Sequence, residues 1–279
     1  MHIVSARARV AGIAGWPVAH SRSPRIHGFW LDRYGIDGAY VPLPVMPAAF
    51  SAAMRGLRAA GFAGANVTVP HKLAAFALCD RVDDSARRAG AVNTLVFKPE
   101  RVEGSNTDGF GFLAGLRDAQ VDATAGPALI LGAGGAARAV AAVLLDQGEA
   151  VSITNRTPER AVALARDLPG LRVVEWENRS AALADHALLV NSTTLGMGGQ
   201  GDPGLALDRA NPSLVVADLV YVPLETPLLA AARRHRLRTV DGLGMLLHQA
   251  RPGFAAWFGV DPEVDAALRA FVLADLPPA

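Results

Sequence analysis

The chain contains 279 residues, of which 51% are hydrophobic and 19% are charged. This length and composition are typical of a globular protein with up to two domains and exclude a disordered or fibrous chain. The 27 Lys and Arg residues balance 26 Asp and Glu residues, which argues against a dedicated nucleic-acid-binding protein.

The cysteine content and the apolar pattern limit the class further. The single cysteine, Cys79, cannot form an internal disulfide, so a reducing, cytoplasmic compartment is expected. The seven histidines lack the spacing of zinc ligands, and no metal site is predicted. Segment 1–15 is interpreted as a first strand rather than a signal peptide, and Pro127–Leu145 is too broken to span a membrane.

The first part of the chain alternates between short apolar runs and segments of helical periodicity. Strands are predicted at Val10–Gly15, Ala39–Leu43 and Gly64–Val69, and helices at Pro24–Tyr34 and Ala48–Ala60. This order predicts a mainly parallel sheet. The runs Ala91–Phe97 and Arg101–Gly104 flank a short turn, which predicts a hairpin that closes this sheet and a domain boundary near Asp108.

A second alternating series follows. Strands are predicted at Ala128–Leu131, Val151–Thr154, Leu171–Trp176, Leu188–Asn191, Val215–Leu219 and Arg238–Asp241, with helices at Gly135–Leu145 and Pro158–Leu168. This order predicts a doubly wound, Rossmann-type sheet. Two further helices, Met245–Trp257 and Val264–Leu273, are expected to pack back on the first domain. The predicted fold class is therefore α/β with two domains.

A glycine-rich segment follows the strand Ala128–Leu131 directly. Its sequence matches the dinucleotide-binding pattern G-x-G-x-x-A, with Ala137 in the last place. Gly132 permits a tight turn, Gly134 lets the backbone approach a pyrophosphate, and the following helix start supplies N–H donors. The alternative is a glycine-rich turn without a ligand. The residues predicted to bind the cofactor here are Gly132, Ala133, Gly134, Gly135 and Ala136.

The end of the next strand indicates which dinucleotide is bound. An NAD site normally carries Asp or Glu at this position, but this chain has Asn155, Arg156 and Thr157, with Arg160 on the next turn. Guanidinium groups and a hydroxyl suit a 2′-phosphate, so NADP is the predicted cofactor. The alternative is a pair of solvated arginines at a helix start.

Two clusters in the first part of the chain carry polar groups that local structure does not require. His20–Pro24 contains Ser21 and Ser23, although a helix cap needs only one serine. Asn66–Lys72 ends a strand and presents Thr68 and Lys72. For Lys72 taken alone, a surface lysine is the simpler interpretation.

Together with further segments in chain order, these clusters resemble the shikimate dehydrogenase family closely. The matching segments cover most of the chain and are Ala89–Thr94, Ser105–Gly109, Asn155–Thr157, Asn191–Thr193 with Gly196 and Met197, Asp218–Tyr221 with Pro223 and Thr226, and Asp241–Leu246 with Gln249. The resemblance implies a substrate-binding domain of residues 1–108 and 242–279, and an NADP-binding domain of residues 109–241, with the reaction in their cleft.

The resemblance also implies the roles of individual residues. Lys72 and Asp108 would be the catalytic pair, and both would also contact the substrate. The serines of the first cluster would hold the substrate carboxylate, and other contacts would come from Thr68, Asn93, Tyr221 and Gln249. Leu219, Gly242 and Met245 would lie beside the nicotinamide. Asp84 matches an acidic position near the cofactor, although a solvated helix face explains it nearly as well.

The implied reaction is the reversible NADPH-dependent reduction of 3-dehydroshikimate to shikimate in aromatic amino-acid biosynthesis. Reduction of a ketone needs a proton for the developing alkoxide, and a lysine beside that oxygen stabilises the charge and supplies the proton. The alternatives are an NAD-using quinate/shikimate dehydrogenase and a non-catalytic dinucleotide-binding regulator. The expected partners are the small-molecule substrate and, in a homodimer, a second copy of the chain.

Overall fold

The computed structural model describes residues 4–275, so the predictions for residues 1–3 and 276–279 lie outside the described residues. The strands are β1 Arg9–Gly15, β2 Gly38–Pro44, β3 Gly64–Val67, β4 Arg81–Val82, β5 Thr94–Phe97, β6 Val102–Ser105, β7 Ala128–Leu131, β8 Val151–Thr154, β9 Arg172–Val173, β10 Leu188–Asn191, β11 Val215–Asp218 and β12 Arg238–Val240. The helices are α1 Ser23–Arg33, α2 Phe50–Ala59, α3 Lys72–Leu78, α4 Asp84–Ala89, α5 Asp108–Asp118, α6 Gly135–Asp146, α7 Pro158–Asp167, α8 Pro227–Arg234, α9 Leu243–Phe258 and α10 Ala266–Leu273.

The chain forms two compact units. The first contains the described residues of Met1–Thr107 together with Gln249–Ala274, and the second contains Asp108–His248. The second division falls inside α9, whose part from Gln249 onward belongs to the first unit. Residues 249–274 of the tail therefore belong to the first unit, whereas residues 242–248 and Asp275 belong to the second.

The first unit is built on a six-stranded sheet of order β2-β1-β3-β5-β6-β4. Three of its five strand pairs are parallel, while β5 is antiparallel to both of its neighbours. Its core includes Phe50, Met54 and Leu95, and the Trp257 indole of α9 donates a hydrogen bond to the Leu95 carbonyl at 2.9 Å. This bond ties the tail helix to the middle of the first sheet.

The second unit is built on a parallel sheet of order β12-β11-β10-β7-β8-β9. Alternate residues of β7 enter two separate cores: Ala128 and Ile130 pack on one face, and Leu129 and Leu131 on the other. Burial on both faces explains why the central strands are unbroken apolar runs. The direction of the strand order reverses between β7 and β10, and ligands bind at such a point in doubly wound sheets.

The structure agrees with the predicted limits where strands are buried on both faces, at β7, β8 and β10. The predicted strand Gly64–Val69 ends at Val67, because Pro70 has no N–H for a ladder and His71 N–H turns back to the Thr68 carbonyl. The predicted strand Leu171–Trp176 shortens to β9, which lies at a sheet edge and pairs only with β8.

Two other predictions about the first sheet are wrong. The hairpin β5–β6 does not close the sheet, because β4 pairs with the outer side of β6. The predicted strand Ala91–Phe97 begins only at Thr94. The helices α3, α4, α5 and α8 were not predicted. Two of them, α3 and α4, have only seven and six residues, too few for a clear helical period.

Candidate functional site

The glycine turn after β7 has the geometry that its sequence predicts. Gly132 has a φ of +99°, which side chains rarely adopt, and a Cβ there would lie 2.9 Å from Ser192 Oγ. Gly134 lies at the N-cap of α6, and a Cβ there would meet nothing within 4 Å. The space over the start of α6 is thus open to a ligand, and the first N–H groups of the helix point toward it.

The neighbouring strand β10 completes this edge of the sheet. Ser192 follows β10, its backbone N–H donates to the Leu131 carbonyl at 2.9 Å, and its hydroxyl donates to the same carbonyl at 2.6 Å. The small Ala137 is fully buried between α6 and the sheet, so the helix start lies close to the strand ends. The turn therefore lies at the point where the strand order reverses.

The residues after β8 present cationic groups. Asn155 Nδ2 donates to the Thr157 carbonyl at 2.8 Å and shapes the turn that leads into α7. Arg156, Thr157 and Arg160 are exposed, and within residues 4–275 neither arginine side chain forms a hydrogen bond or an ion pair. Two unpaired guanidinium groups beside an open helix start fit the phosphate groups of NADP. The residues present therefore fit this cofactor.

A buried polar cluster fixes the end of β11. Asp218 is 1% exposed, and its carboxylate accepts from Asn191 Nδ2 at 3.0 Å, Val220 N–H at 3.0 Å and Thr226 Oγ1 at 2.7 Å. Burial raises the pKa of Asp218, and these three donors oppose that shift. The cluster holds the chain that leads through Leu219 to Tyr221 in one conformation.

The three residues expected beside the nicotinamide all belong to the second unit. A Cβ on Gly242 would lie 2.4 Å from the Leu219 carbonyl oxygen, so these two residues are in direct backbone contact. Met245 is the third residue of α9, and its backbone nitrogen would lie 2.9 Å from a Cβ placed on Gly115. Only glycine at residue 242 permits this close approach to the Leu219 carbonyl. Tyr221 is half-buried at the same end of the sheet.

In the first unit, Asn93 and Gln249 meet in a buried group of amides and hydroxyls. Asn93 Nδ2 donates to Gln249 Oε1 at 3.2 Å and to Thr107 Oγ1 at 3.1 Å. Asn93 Oδ1 accepts from Thr107 N–H at 2.9 Å, and the Thr107 hydroxyl donates to the Gln249 carbonyl at 2.7 Å. Sequence reasoning assigned no role to Thr107 or to Asn66, although both lie in the segments on which the resemblance rests.

The serine cluster lies at the start of α1. Ser23 is its first residue and is 4% exposed, and Ser23 N–H donates to Ser21 Oγ at 3.3 Å. The N-cap residue Arg22 makes no side-chain capping bond. Only one of the two serines therefore serves the helix start, and that bond is long.

Thr68 and Lys72 lie on either side of one turn. Thr68 follows β3, and its backbone N–H donates to the Ala14 carbonyl at 2.9 Å. Lys72 is half-buried and begins α3, rather than lying at the end of the strand. Its carbonyl accepts from Val92 N–H at 3.0 Å, which places the start of α3 beside the residue that precedes Asn93. The first unit thus brings Lys72 and Asn93 together.

Asp108 is 4% exposed and is the first residue of α5 in the second unit. It directly follows Thr107, which belongs to the amide group of the first unit.

Asp84 belongs to the first unit and is not part of the glycine turn. Its side chain is 92% exposed on α4 and pairs with Arg87 at 2.6 Å, which lowers the pKa of Asp84. This geometry is that of a residue on a solvated helix face.

No group of three or more His, Cys, Asp or Glu side chains in residues 4–275 could hold a metal ion. No helix in the described part of the chain is both long and apolar enough to cross a membrane.

Three family models match the sequence. They describe the shikimate dehydrogenase substrate-binding domain over residues 13–95, shikimate/quinate 5-dehydrogenase over residues 117–196, and the shikimate 5′-dehydrogenase C-terminal domain over residues 242–270. The matches follow the chain in order and extend over both units.

Individual proteins show the same similarity. The shikimate dehydrogenase (NADP(+)) of Acidiphilium cryptum is 67% identical over 98% of this chain and 99% of its own. The shikimate 5-dehydrogenase of Thermus thermophilus, solved with NADP(H) and shikimate, is 38% identical over 96% and 100% of the two chains, with a TM-score of 0.88. The quinate dehydrogenase of Corynebacterium glutamicum, solved with NAD, is 29% identical over 96% and 99%, also with a TM-score of 0.88.

Proposed function

The chain belongs to the shikimate dehydrogenase family, and on this premise we propose that it catalyses the reversible NADPH-dependent reduction of 3-dehydroshikimate to shikimate. The comparisons confirm the predicted family, the α/β fold with a Rossmann-type domain, the oxidoreductase class and NADP as cofactor. They favour this activity over the alternative of an NAD-using quinate enzyme and over a non-catalytic regulator.

The residue composition supports a catalytic role for Lys72. Only two of the 27 basic residues are lysines, Lys72 and Lys98, and the other 25 are arginines. An arginine stabilises negative charge but does not release a proton near neutral pH, whereas a lysine can do both. The presence of a lysine at the start of α3 in so arginine-rich a chain is the single observation that carries this proposal.

In the proposed mechanism, bound NADPH supplies the hydride for the ketone carbon. Lys72 donates a proton to the oxygen as negative charge develops there, and it accepts that proton in the reverse direction. Asp108 holds the lysine ammonium and the reacting hydroxyl in register. Ser21 and Ser23 bind the substrate carboxylate, and the remaining substrate contacts come from Thr68, Asn93, Tyr221 and Gln249.

The second unit is proposed to hold the cofactor, with limits close to the predicted residues 109–241. The backbone from Gly132 to Ala136 binds the pyrophosphate, supported by the open space at Gly134. Asn155, Arg156, Thr157 and Arg160 bind the 2′-phosphate. Leu219, Gly242 and Met245 border the nicotinamide ring. Asp84 stays a prediction, and its exposed pairing with Arg87 gives it no support.

The test is a matrix of initial rates with shikimate or quinate and NADP⁺ or NAD⁺. We expect the highest kcat/KM for shikimate with NADP⁺. A preference for quinate with NAD⁺ would assign the chain to the catabolic alternative, and no turnover of any pair would favour the regulator. A homodimer and a cytoplasmic location stay predictions, and sedimentation velocity tests the first of these.

A further inference from the structure

We infer that Tyr40 is a positioning residue for substrate binding, which acts through Asn66 and Thr94 on the amide of Asn93. The inference rests on the proposed function, in which Asn93 contacts the substrate. Tyr40 itself lies on β2, which is separated in the sheet from the strand of Asn66, β3, by the intervening strand β1. None of the roles proposed above includes this side chain.

A continuous series of hydrogen bonds joins Tyr40 to Asn93. The Tyr40 hydroxyl donates to Asn66 Oδ1 at 2.6 Å, and Asn66 Nδ2 donates to Thr94 Oγ1 at 3.1 Å. The Thr94 hydroxyl in turn donates to Asn93 Oδ1 at 3.0 Å. Tyr40, Asn66, Asn93 and Thr94 are all less than 9% exposed, so bulk water does not replace these bonds.

Backbone groups fix the orientation of both amides in this series: Asn66 Nδ2 also donates to the Asn93 carbonyl at 3.2 Å, and Asn93 Oδ1 also accepts from Thr107 N–H at 2.9 Å. A phenol has one hydrogen, and Tyr40 donates it to the Asn66 oxygen, while the NH₂ of that amide faces Thr94. Thr94 then accepts from Asn66 and has its own hydrogen free for Asn93 Oδ1. With its oxygen held by the Thr94 hydroxyl and by Thr107 N–H, Asn93 points its Nδ2 toward Gln249 Oε1 and Thr107 Oγ1. Reversal of the Asn93 amide would place its NH₂ against Thr107 N–H, and reversal of the Asn66 amide would place its oxygen against the Asn93 carbonyl. Loss of the Tyr40 hydroxyl would leave the buried Asn66 oxygen without the donor that faces it.

Packing holds Tyr40 in place. Its ring stacks on His27 with 3.9 Å between the centroids and 2° between the planes, and the Trp257 ring centroid is 5.9 Å away. Burial raises the pKa of Tyr40 well above its usual value, so the hydroxyl keeps the hydrogen that the series requires.

The test uses full-length Tyr40→Phe, which removes the hydroxyl but keeps the ring and its stacking. We expect the KM for shikimate to rise about three- to tenfold, the change that loss of one neutral hydrogen bond produces, with kcat and the KM for NADP⁺ within about twofold of wild type. The matched control is Tyr34→Phe in the same unit, whose hydroxyl accepts from Glu263 N–H at 3.0 Å. This control should leave both Michaelis constants unchanged.

A second variant tests whether Tyr40 influences Asn93 through the hydrogen bond of Thr94. Thr94→Val keeps the shape of the side chain and breaks the next link, so it should raise the KM for shikimate to a similar extent. The KM of the double variant for shikimate should be no higher than that of the more affected single variant, because both substitutions interrupt the same series of hydrogen bonds. Additive effects, or equal changes in the Michaelis constants of shikimate and NADP⁺, would overturn the inference in favour of a merely structural role.

Shikimate binding measured by calorimetry separates this inference from the proposed function. If the wild-type chain neither binds nor oxidises shikimate, the proposed function fails and the inference fails with it. If the wild type binds shikimate and Tyr40→Phe binds it equally well, the inference alone is wrong. Should Tyr40→Phe not fold, Thr94→Val with the same readouts decides the question.

Discussion

The two units hold their polar groups in opposite ways. In the first unit, Asn66, Asn93 and Thr107 are buried, and their donors and acceptors are paired with one another. In the second unit, the groups proposed to meet the cofactor are exposed: Gly134 faces open space, and Arg156 and Arg160 have no partner among the described residues.

This difference teaches how each unit can recognise a ligand. Buried amides with matched partners have one orientation, so they can distinguish small molecules that differ by a single hydroxyl. Backbone N–H groups at a helix start, joined by long cationic side chains, attract phosphates without a fixed fit. The first unit is therefore suited to substrate specificity and the second to cofactor charge.

The largest expected effect concerns the chemistry of the first unit. Lys72→Ala should lower kcat about 10²- to 10⁴-fold with a smaller change in the KM for shikimate, because the charge that Lys72 is proposed to stabilise develops mainly in the transition state. Lys72→Arg should also have a low kcat, since arginine keeps the positive charge but does not transfer a proton. Initial rates measure both variants.

The only other lysine supplies the control for that experiment. Lys98 lies on the turn between β5 and β6 and is exposed, so Lys98→Ala should retain wild-type kcat. A rise in KM alone for Lys72→Ala would make Lys72 a binding residue, and the proton donor would then be another group.

The stability of the protein should depend on pH through the buried His27 of the first unit. Burial among Trp30, Tyr40 and Phe254 lowers the pKa of His27 to about 3, whereas the usual value is 6.5. The unfolded chain therefore binds a proton between pH 6.5 and 3 that the folded chain does not. The free energy of unfolding should fall as the pH is lowered through this window, by at most about 1.4 kcal/mol per pH unit from this group.

The corresponding variant is His27→Phe, which removes the titrating ring and keeps an aromatic one. Urea unfolding at pH values from about 7 to about 4 should give a shallower loss of stability for this variant than for the wild type. His235→Gln, at an exposed histidine after α8, should leave the wild-type slope unchanged. Parallel slopes for His27→Phe and the wild type would show that His27 titrates normally.

Substrate choice tests the fixed geometry of the first unit. Quinate has an extra hydroxyl at the carbon that bears the carboxylate, and its ring puckers differently, so Ser21 and Ser23 would meet a displaced carboxylate. We expect kcat/KM with NADP⁺ to favour shikimate by about tenfold to more than a hundredfold, or 1 to 3 kcal/mol. Ser23→Ala should reduce this ratio. Comparable values for the two acids would place the chain among enzymes of dual specificity.

Cofactor choice tests the exposed charges of the second unit. Arg156→Ala should weaken NADP⁺ binding about ten- to a hundredfold and leave NAD⁺ nearly unchanged, because one charge-assisted contact of about 1.5 to 3 kcal/mol is lost. Arg166→Ala, at an exposed arginine near the other end of α7, is the matched control. Equal losses for both dinucleotides would contradict the assignment of Arg156 to the 2′-phosphate.

The sequence by itself determined the α/β class, the family and the limits of strands such as β7 and β10. These strands are buried on both faces, so each appears as an unbroken apolar run with a polar or glycine stop. The sequence also predicted the glycine turn, because the conformation of that turn depends on residues next to one another in the chain.

Only the tertiary structure decided how the polar side chains of the first unit are arranged. Tyr40 and Asn66 are 26 residues apart, and Asn93 and Gln249 are 156 residues apart, yet each pair is hydrogen-bonded. Such bonds depend on the order of strands in the sheet, which also placed β4 outside the hairpin and, in the second unit, left β9 only two residues long. A sequence pattern records which groups are polar, but the packing of distant segments decides which donor meets which acceptor.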